Sequence, residues 1–383
     1  SWQKLDGSPT ISFRDLTIQK RENDLVAASF GRGFFILDDY SALREFTEEN
    51  LNKKGKLFKP RTAKWFVPRS NIGNTGSDYY FADNPTYGAV FTYHLSDDYK
   101  TKREIRRDKE IELNKRKSNI PFPGWENLDK ERREDPAHVV LTIQDNSGNV
   151  INKISKKASK GSNRISWDFT HFNPYAVSSE SPRYNYSGAL AKPGTYKASL
   201  SLVQNGKVTT LDGPISFEIK AIREGILNGI GFEEYNRYLK QISELYNDIS
   251  AVEDVFEESL KMQKAMTNAL KKTKIFPGVI EAKIAILRDD LDKINLSLNG
   301  SPSRSEVGER NPADLNDYLY NASSGLRNSY GPTPLHAKSL EMAKQLLSEL
   351  KTEVIKISKT KIPEIQKMLK EADAPYIIGQ GIE

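Results

Sequence analysis

The hydrophobic pattern of this 383-residue chain changes period once, near residue 230. Before that point apolar residues alternate with polar ones, as on strands half-buried in a sheet. After it they recur at three and four residues, the spacing of a helix face. Ile280, Ile284, Leu287, Leu291, Ile294 and Leu298 keep a 4-3-4-3-4 spacing without interruption. A chain with the two periods so segregated is multidomain, β first and α second. At roughly 150 residues per domain, its length allows two or three such units.

Residues 1–46 read as short strands in a β-meander. One is expected at Trp2–Leu5, one over Phe13–Ile18, one at Leu25–Ser29 and one at Gly33–Leu37, with turns at Glu22-Asn23-Asp24 and Gly31-Arg32-Gly33. That is the size of one β-propeller blade. A lone blade exposes its edges and an apolar face, so it needs a covering neighbour or the remainder of a propeller ahead of residue 1. The chain opens on Ser1 in the middle of a strand pattern, and an upstream propeller carrying any export signal is the expectation.

Residues 47–87 read as a connector, with Lys53-Lys54-Gly55-Lys56, a strand at Ala63–Val67, and an Asn71–Gly76 loop running into Tyr79, Tyr80 and Phe81. Residues 88–222 carry strands at Ala89–Leu95, His138–Gln144, Val150–Ile154, Arg164–Phe169, Thr195–Val203, Lys207–Leu211 and Ile215–Ile219. Asn205-Gly206 between two of them is a strong hairpin signal. Seven strands with frequent turns fit an immunoglobulin- or fibronectin-like β-sandwich. It is interrupted at 96–137 by a charged insertion, which holds twelve Lys or Arg and eight Asp or Glu between Lys100 and Glu134. Mixed signs at that density read as a solvated helix or arm. Residues 223–383 read as a four-helix bundle of antiparallel helices, the last one kinked or broken at Pro363.

Composition removes several chemistries. There is no cysteine, hence no disulfide framework, thiol nucleophile or thiolate zinc site. Lys plus Arg at 57 against Asp plus Glu at 51 leaves +6, far from the concentrated footprint of a nucleic-acid binder. No apolar run reaches the ~18 residues of a membrane span. Gly31-x-Gly33 is followed by Ile36 where a dinucleotide fingerprint needs glycine, and phosphate-loop, zinc-protease and nucleophile-elbow motifs are all missing. The four histidines, His94, His138, His171 and His336, are scattered. The expectation is no catalytic residue, no cofactor and no metal.

The residues left as ligand contacts are Arg32, Asp38, Asp39 and Trp125. Asp38 and Asp39 end the last strand of the blade, where propeller ligands gather. Neighbours on a strand point to opposite faces, so a turn or capping role competes with a facing carboxylate pair. Arg14 and Arg32 suit bidentate carboxylate recognition, and pairing with Asp15 and Asp38 is the competing role. Trp125 follows Pro121-Phe122-Pro123-Gly124 and is the tryptophan expected to be exposed, whereas Trp167 alternates as a core residue.

Several stretches resemble one family. Arg14-Asp15-Leu16-x-Ile18-Gln19-x-Arg21-Glu22-Asn23-Asp24-Leu25-Val26 and Gly31-Arg32-Gly33-Phe34-x-Ile36-Leu37-Asp38-Asp39 are similar to the final blade of sortilin-like bacterial propeller proteins, commonly named glycosyl hydrolases with bacterial-neuraminidase (BNR) repeats. Leu57-Phe58-Lys59-Pro60-Arg61, Pro85-x-Tyr87-Gly88-Ala89, Gly161-x-Asn163-Arg164-x-x-Trp167-Asp168 and Lys192-Pro193-Gly194-Thr195-Tyr196 continue the likeness, as does Ala374-Pro375-Tyr376 at the end. The resemblance implies a secreted, periplasmic or cell-surface protein. In it this chain is a non-catalytic scaffold and interaction region, partnered by the N-terminal propeller of the same protein and by an extracellular glycan or protein ligand. Nucleic acid and a membrane span are not expected. The alternative is a glycoside hydrolase acting on extracellular glycans, its active site mainly in the missing propeller.

Overall fold

The computed structural model describes residues 9–31, 33–68, 76, 82–179, 188–223, 225 and 229–380. The chain is β-rich first and α-rich second. It divides into two compact units, residues 1–172 with 190–224, and residues 173–189 with 225–383.

Within the first unit, β1 (Phe13–Gln19), β2 (Asp24–Ser29) and β3 (Phe34–Leu37) form an antiparallel sheet in that order. Asn23 takes a left-handed φ of 57° in the β1–β2 turn, a conformation Asn tolerates. The strand expected at Trp2–Leu5 lies outside the described residues. A 3-10 turn (Ser41–Glu45) and α1 (Glu48–Asn52) lead into β4 (Gly55–Leu57) and β5 (Ala63–Trp65).

The stretch read as a connector thus supplies two strands. β4 joins β6 (Ala89–Leu95) and β9 (Gly161–Trp167) in the order β4-β6-β9. β5 joins a five-stranded sheet with β7 (His138–Gln144), β8 (Val150–Lys157), β10 (Gly194–Gln204) and β11 (Lys207–Ala221), in the order β5-β11-β10-β7-β8. The two strands expected over 207–219 are the single β11, whose register against β10 shifts around Leu200.

These two sheets meet through their inner faces. Phe91 packs edge-on against Phe217 at 5.0 Å between ring centroids, and Trp167 against Tyr196 at 5.4 Å. The alternation read from sequence is the physical cause. Ala89, Phe91, Tyr93 and Leu95 are buried and their neighbours on β6 are not. Asp212 fastens one sheet to the other by accepting the Leu57 amide and the Lys56 ammonium, both at 2.9 Å.

The charged insertion forms two helices, α2 (Lys102–Lys115) and α3 (Trp125–Arg132). Thr101 and Glu104 make a reciprocal capping box at the start of α2. Arg106 then clamps the pair, its Nε and Nη2 each 2.8 Å from the Glu131 carboxylate and its Nη1 2.6 Å from Glu110.

The second unit is helical: α4 (Phe232–Leu270), α5 (Val279–Asn299), α6 (Pro302–Glu306), α7 (Leu315–Ser324), α8 (Pro334–Lys356) and α9 (Ile362–Glu371). All six apolar residues of the α5 stripe are buried. Each contributes about 1.5–3 kcal/mol of apolar burial. Buried Tyr238 donates to the Ala322 carbonyl at 2.9 Å, keeping its hydroxyl satisfied inside the core. The break expected at Pro363 is a π-helical turn over Ile357–Lys361, after which Pro363 sits in the first turn of α9. The wider turn makes room for a ring that an α-helix interior excludes, and the helical path continues.

Candidate interaction surface

The three-stranded sheet is thinly covered, with six of the seven residues of β1 exposed. Cross-strand partners share a face, so Leu16, Ala27 and Phe35 lie in one row, with Ile18, Leu25 and Leu37 in the next. Phe13 joins that face across a bulge and meets Phe35 edge-on at 5.9 Å. Leu16 keeps 60% of its surface exposed. The opposite face carries Thr17, Val26 and Ile36 in a row and Phe34, 75% exposed, beside it. Both faces therefore present apolar side chains to solvent.

What holds this sheet in place is ionic. The Glu22 side chain, only 15% exposed, stands within 3.4 Å of Arg61 and is also bridged by Lys64 and Arg21. The hydrogen bond from Lys64 holds its carboxyl below the usual carboxylate range, against the opposing effect of burial. Asp24 extends the network to Arg61 at 3.5 Å.

Asp38 and Asp39 belong to the same fastening. Arg164 Nη2 donates to the Asp39 carbonyl at 2.9 Å and also to the Asp38 carbonyl. Asp39, with φ 45°, accepts the Ser41 hydroxyl at 2.6 Å and the Ser41 amide at 3.2 Å at the entry to the 3-10 turn. Its own amide donates to Asp24 Oδ1 at 3.0 Å. The Asp39 carboxylate is thus held in the local turn by Ser41. Arg14 stacks its guanidinium over Phe30 at 4.7 Å, while Asp15 accepts the Leu16 amide at 2.9 Å, so the Arg14–Asp15 pairing is replaced by a cation–π contact. Arg32 lies outside the described residues.

Trp125 stands at the turn between α2 and α3, 77% exposed, with Phe122 edge-on at 5.0 Å. Trp65 and Trp167 are core residues whose indole N–H groups donate to the Ala191 and Thr170 carbonyls at 2.8 and 2.7 Å. The histidines stay apart. His336 Nδ1 accepts the Thr333 amide at 2.9 Å as part of a helix cap, and burial lowers the pKa of His94 and of His171, the latter to about 4. Among the described residues no group of three His, Asp or Glu is placed to hold a metal ion, and no helix is long and apolar enough to cross a membrane.

The ionic fastening around Glu22 was not anticipated from sequence, because its partners Arg61 and Lys64 lie some forty residues away on β5 and the segment before it. The exposure on both sheet faces did have a signal. Phe34 and Phe35 are adjacent, so one must face each way.

No family model and no curated protein matches this chain. Among solved structures, the crystal structure of dimeric latent PorU from Porphyromonas gingivalis is similar over 52% of this chain, at 12% identity and a TM-score of 0.23. The match spans 12% of the PorU chain, a likeness too distant to assign a fold.

Proposed function

We propose that this chain is a non-catalytic scaffold and interaction region of a secreted or cell-surface propeller protein, with β1–β3 as part of its final blade. The single observation that supports this reading is the apolar exposure of both sheet faces, Leu16 and Phe35 on one and Phe34 and Ile36 on the other. A sheet in a sandwich needs cover on one face, whereas a propeller blade is covered by a neighbour on each side. The occupant is therefore further β-sheet of the same protein, on both faces. In this reading the two-sheet unit is an immunoglobulin- or fibronectin-like sandwich and the helical unit a four-helix bundle, both serving as scaffold.

Hydrogen exchange is the test. In this chain alone, amides of 13–37 should exchange fast and a hydrophobic dye should bind. In the protein that includes the propeller, the same amides should be protected and Phe34→Asp should remove that protection. Equal exchange in both contexts sinks the blade reading. A glycan panel addresses chemistry separately: this chain should release no sugar, and release abolished by Asp38→Asn or Asp39→Asn would favour the hydrolase instead.

A further inference from the structure

Two turns in this protein repeat one piece of chemistry. The turn between α2 and α3 reads Lys115-Arg116-Lys117-Ser118-Asn119-Ile120-Pro121-Phe122-Pro123-Gly124-Trp125. The turn between α4 and α5 reads Lys271-Lys272-Thr273-Lys274-Ile275-Phe276-Pro277-Gly278-Val279. Each has three cations, then isoleucine, then Phe-Pro-Gly and a large apolar residue, and no acid falls within either stretch. The two lie in different compact units and share no strand, helix or core, so a common fold does not account for the likeness.

Each turn is a convex tip rather than a buried connection. In the first, Phe122 and Trp125 are 62% and 77% exposed. In the second, Phe276 is 96% exposed and Val279 66%. The cations beside them are also exposed, and their ion pairs are loose, Arg116 to Glu112 at 3.9 Å and Lys274 to Asp373 at 4.0 Å. A cation at a helix C-terminus complements the helix dipole, which accounts for part of the charge. It does not account for an aromatic ring held in water next to that charge.

We propose that the two tips are interfacial anchors for an anionic lipid bilayer surface. A lipid interface takes Trp and Phe at headgroup depth and attracts neighbouring Lys and Arg through its negative potential. Three apolar side chains per tip are too few for a stable protein interface, which needs roughly 20–30 residues a side. They suffice for shallow insertion into a bilayer. Sugar stacking fits less well, since Phe122 and Trp125 cross at 69° instead of offering a shared platform, and the second tip has one ring among aliphatic groups. The inference is independent of the propeller reading, because neither tip belongs to β1–β3.

Sedimentation of the full chain with vesicles decides it. Binding is expected to vesicles of phosphatidylcholine plus phosphatidylglycerol and not to phosphatidylcholine alone, and to weaken as salt rises. Phe122→Ser with Trp125→Ser, and separately Phe276→Ser, should each lower the partition coefficient about tenfold. Lys115→Gln, Arg116→Gln and Lys117→Gln together should lower it by about tenfold to a hundredfold. All are exposed positions, and an unchanged far-ultraviolet spectrum and thermal transition verify folding. Lack of binding to anionic vesicles, or binding that all these variants leave intact, overturns the proposal. Dependence on one tip alone keeps it for that tip and removes it for the other. Tip-dependent retention on a polysaccharide with no vesicle binding assigns the surface to a glycan and overturns it too.

Discussion

Arg61 donates to the main-chain carbonyl of Glu22 at 2.9 Å and stands 3.4 Å from the carboxylate of the same residue. One guanidinium thereby grips the β1–β2 turn by backbone and side chain together. Arg61→Ala should release the three-stranded sheet locally, at a cost of about 1–2 kcal/mol. Proteolytic nicking between residues 19 and 40 should then rise while the far-ultraviolet spectrum stays native. An unchanged nicking rate would mean the sheet is held by other contacts.

Trp167 is fully buried, with Phe169, Tyr196 and Phe217 all edge-on around it at 5.4–6.2 Å. Trp167→Ala removes the centre of this cluster and one of the two donors to the Thr170 carbonyl, which Asn152 Nδ2 also serves at 2.7 Å. The first unit should lose about 3–5 kcal/mol, read by urea unfolding. Trp167→Phe should cost less than half of that.

His171 gives the first unit a pH dependence of definite sign. Burial lowers its pKa from 6.5 to about 4, with buried Asp145 opposing the shift. Between those two values the unfolded chain holds the proton and the folded chain does not. Stability is therefore complete well above pH 6.5 and falls as the pH drops towards 4, by about 3 kcal/mol. In His171→Gln the decline between about pH 6.5 and 5, above the range of most carboxylates, should flatten. Parallel curves for the two proteins would exclude His171 as the source.

Gly88 has φ 114°, and a Cβ there would come within 2.1 Å of the Trp167 carbonyl oxygen. Both the conformation and the space require glycine. Gly88→Ala should destabilise by about 3 kcal/mol or more and broaden the tryptophan near-ultraviolet signal. A loss under about 1 kcal/mol would show that β6 and β9 can part without consequence.

The helical half was the most legible, because a core stripe such as Ile242, Leu245, Ile249 and Val252 repeats often enough to exclude other readings. β6, β7 and β10 were visible for the same reason at period two. β5 falls within the strand expected at Ala63–Val67, whereas β4 was hard to see, since three residues such as Gly55-Lys56-Leu57 carry less than two periods of any pattern. Their strand character comes from partners far along the chain, Tyr93 to Leu95 for one and Ile219 to Ala221 for the other. The candidate residues divided along similar lines. Trp125 was recognisable as exposed from its Pro-Gly setting and the local bond of Asp39 to Ser41 from its place in a turn, whereas the bond between Asp39 and Asp24, fifteen residues apart, depends on the strand pairing.

β5 enters its sheet only beside β11, in parallel, with Ala63 facing Ile219 and Trp65 facing Ala221. The earliest strand of that sheet to leave the ribosome is thus the last to find a partner, more than 150 residues later. Loop closure over that distance is slow, and the interval leaves Trp65 and Ala63 uncovered during synthesis. A chain cut after β10 would keep β10, β7 and β8 and lose one end of the sheet, β11 together with the partner of β5, so tolerance to truncation in this unit stops at residue 221.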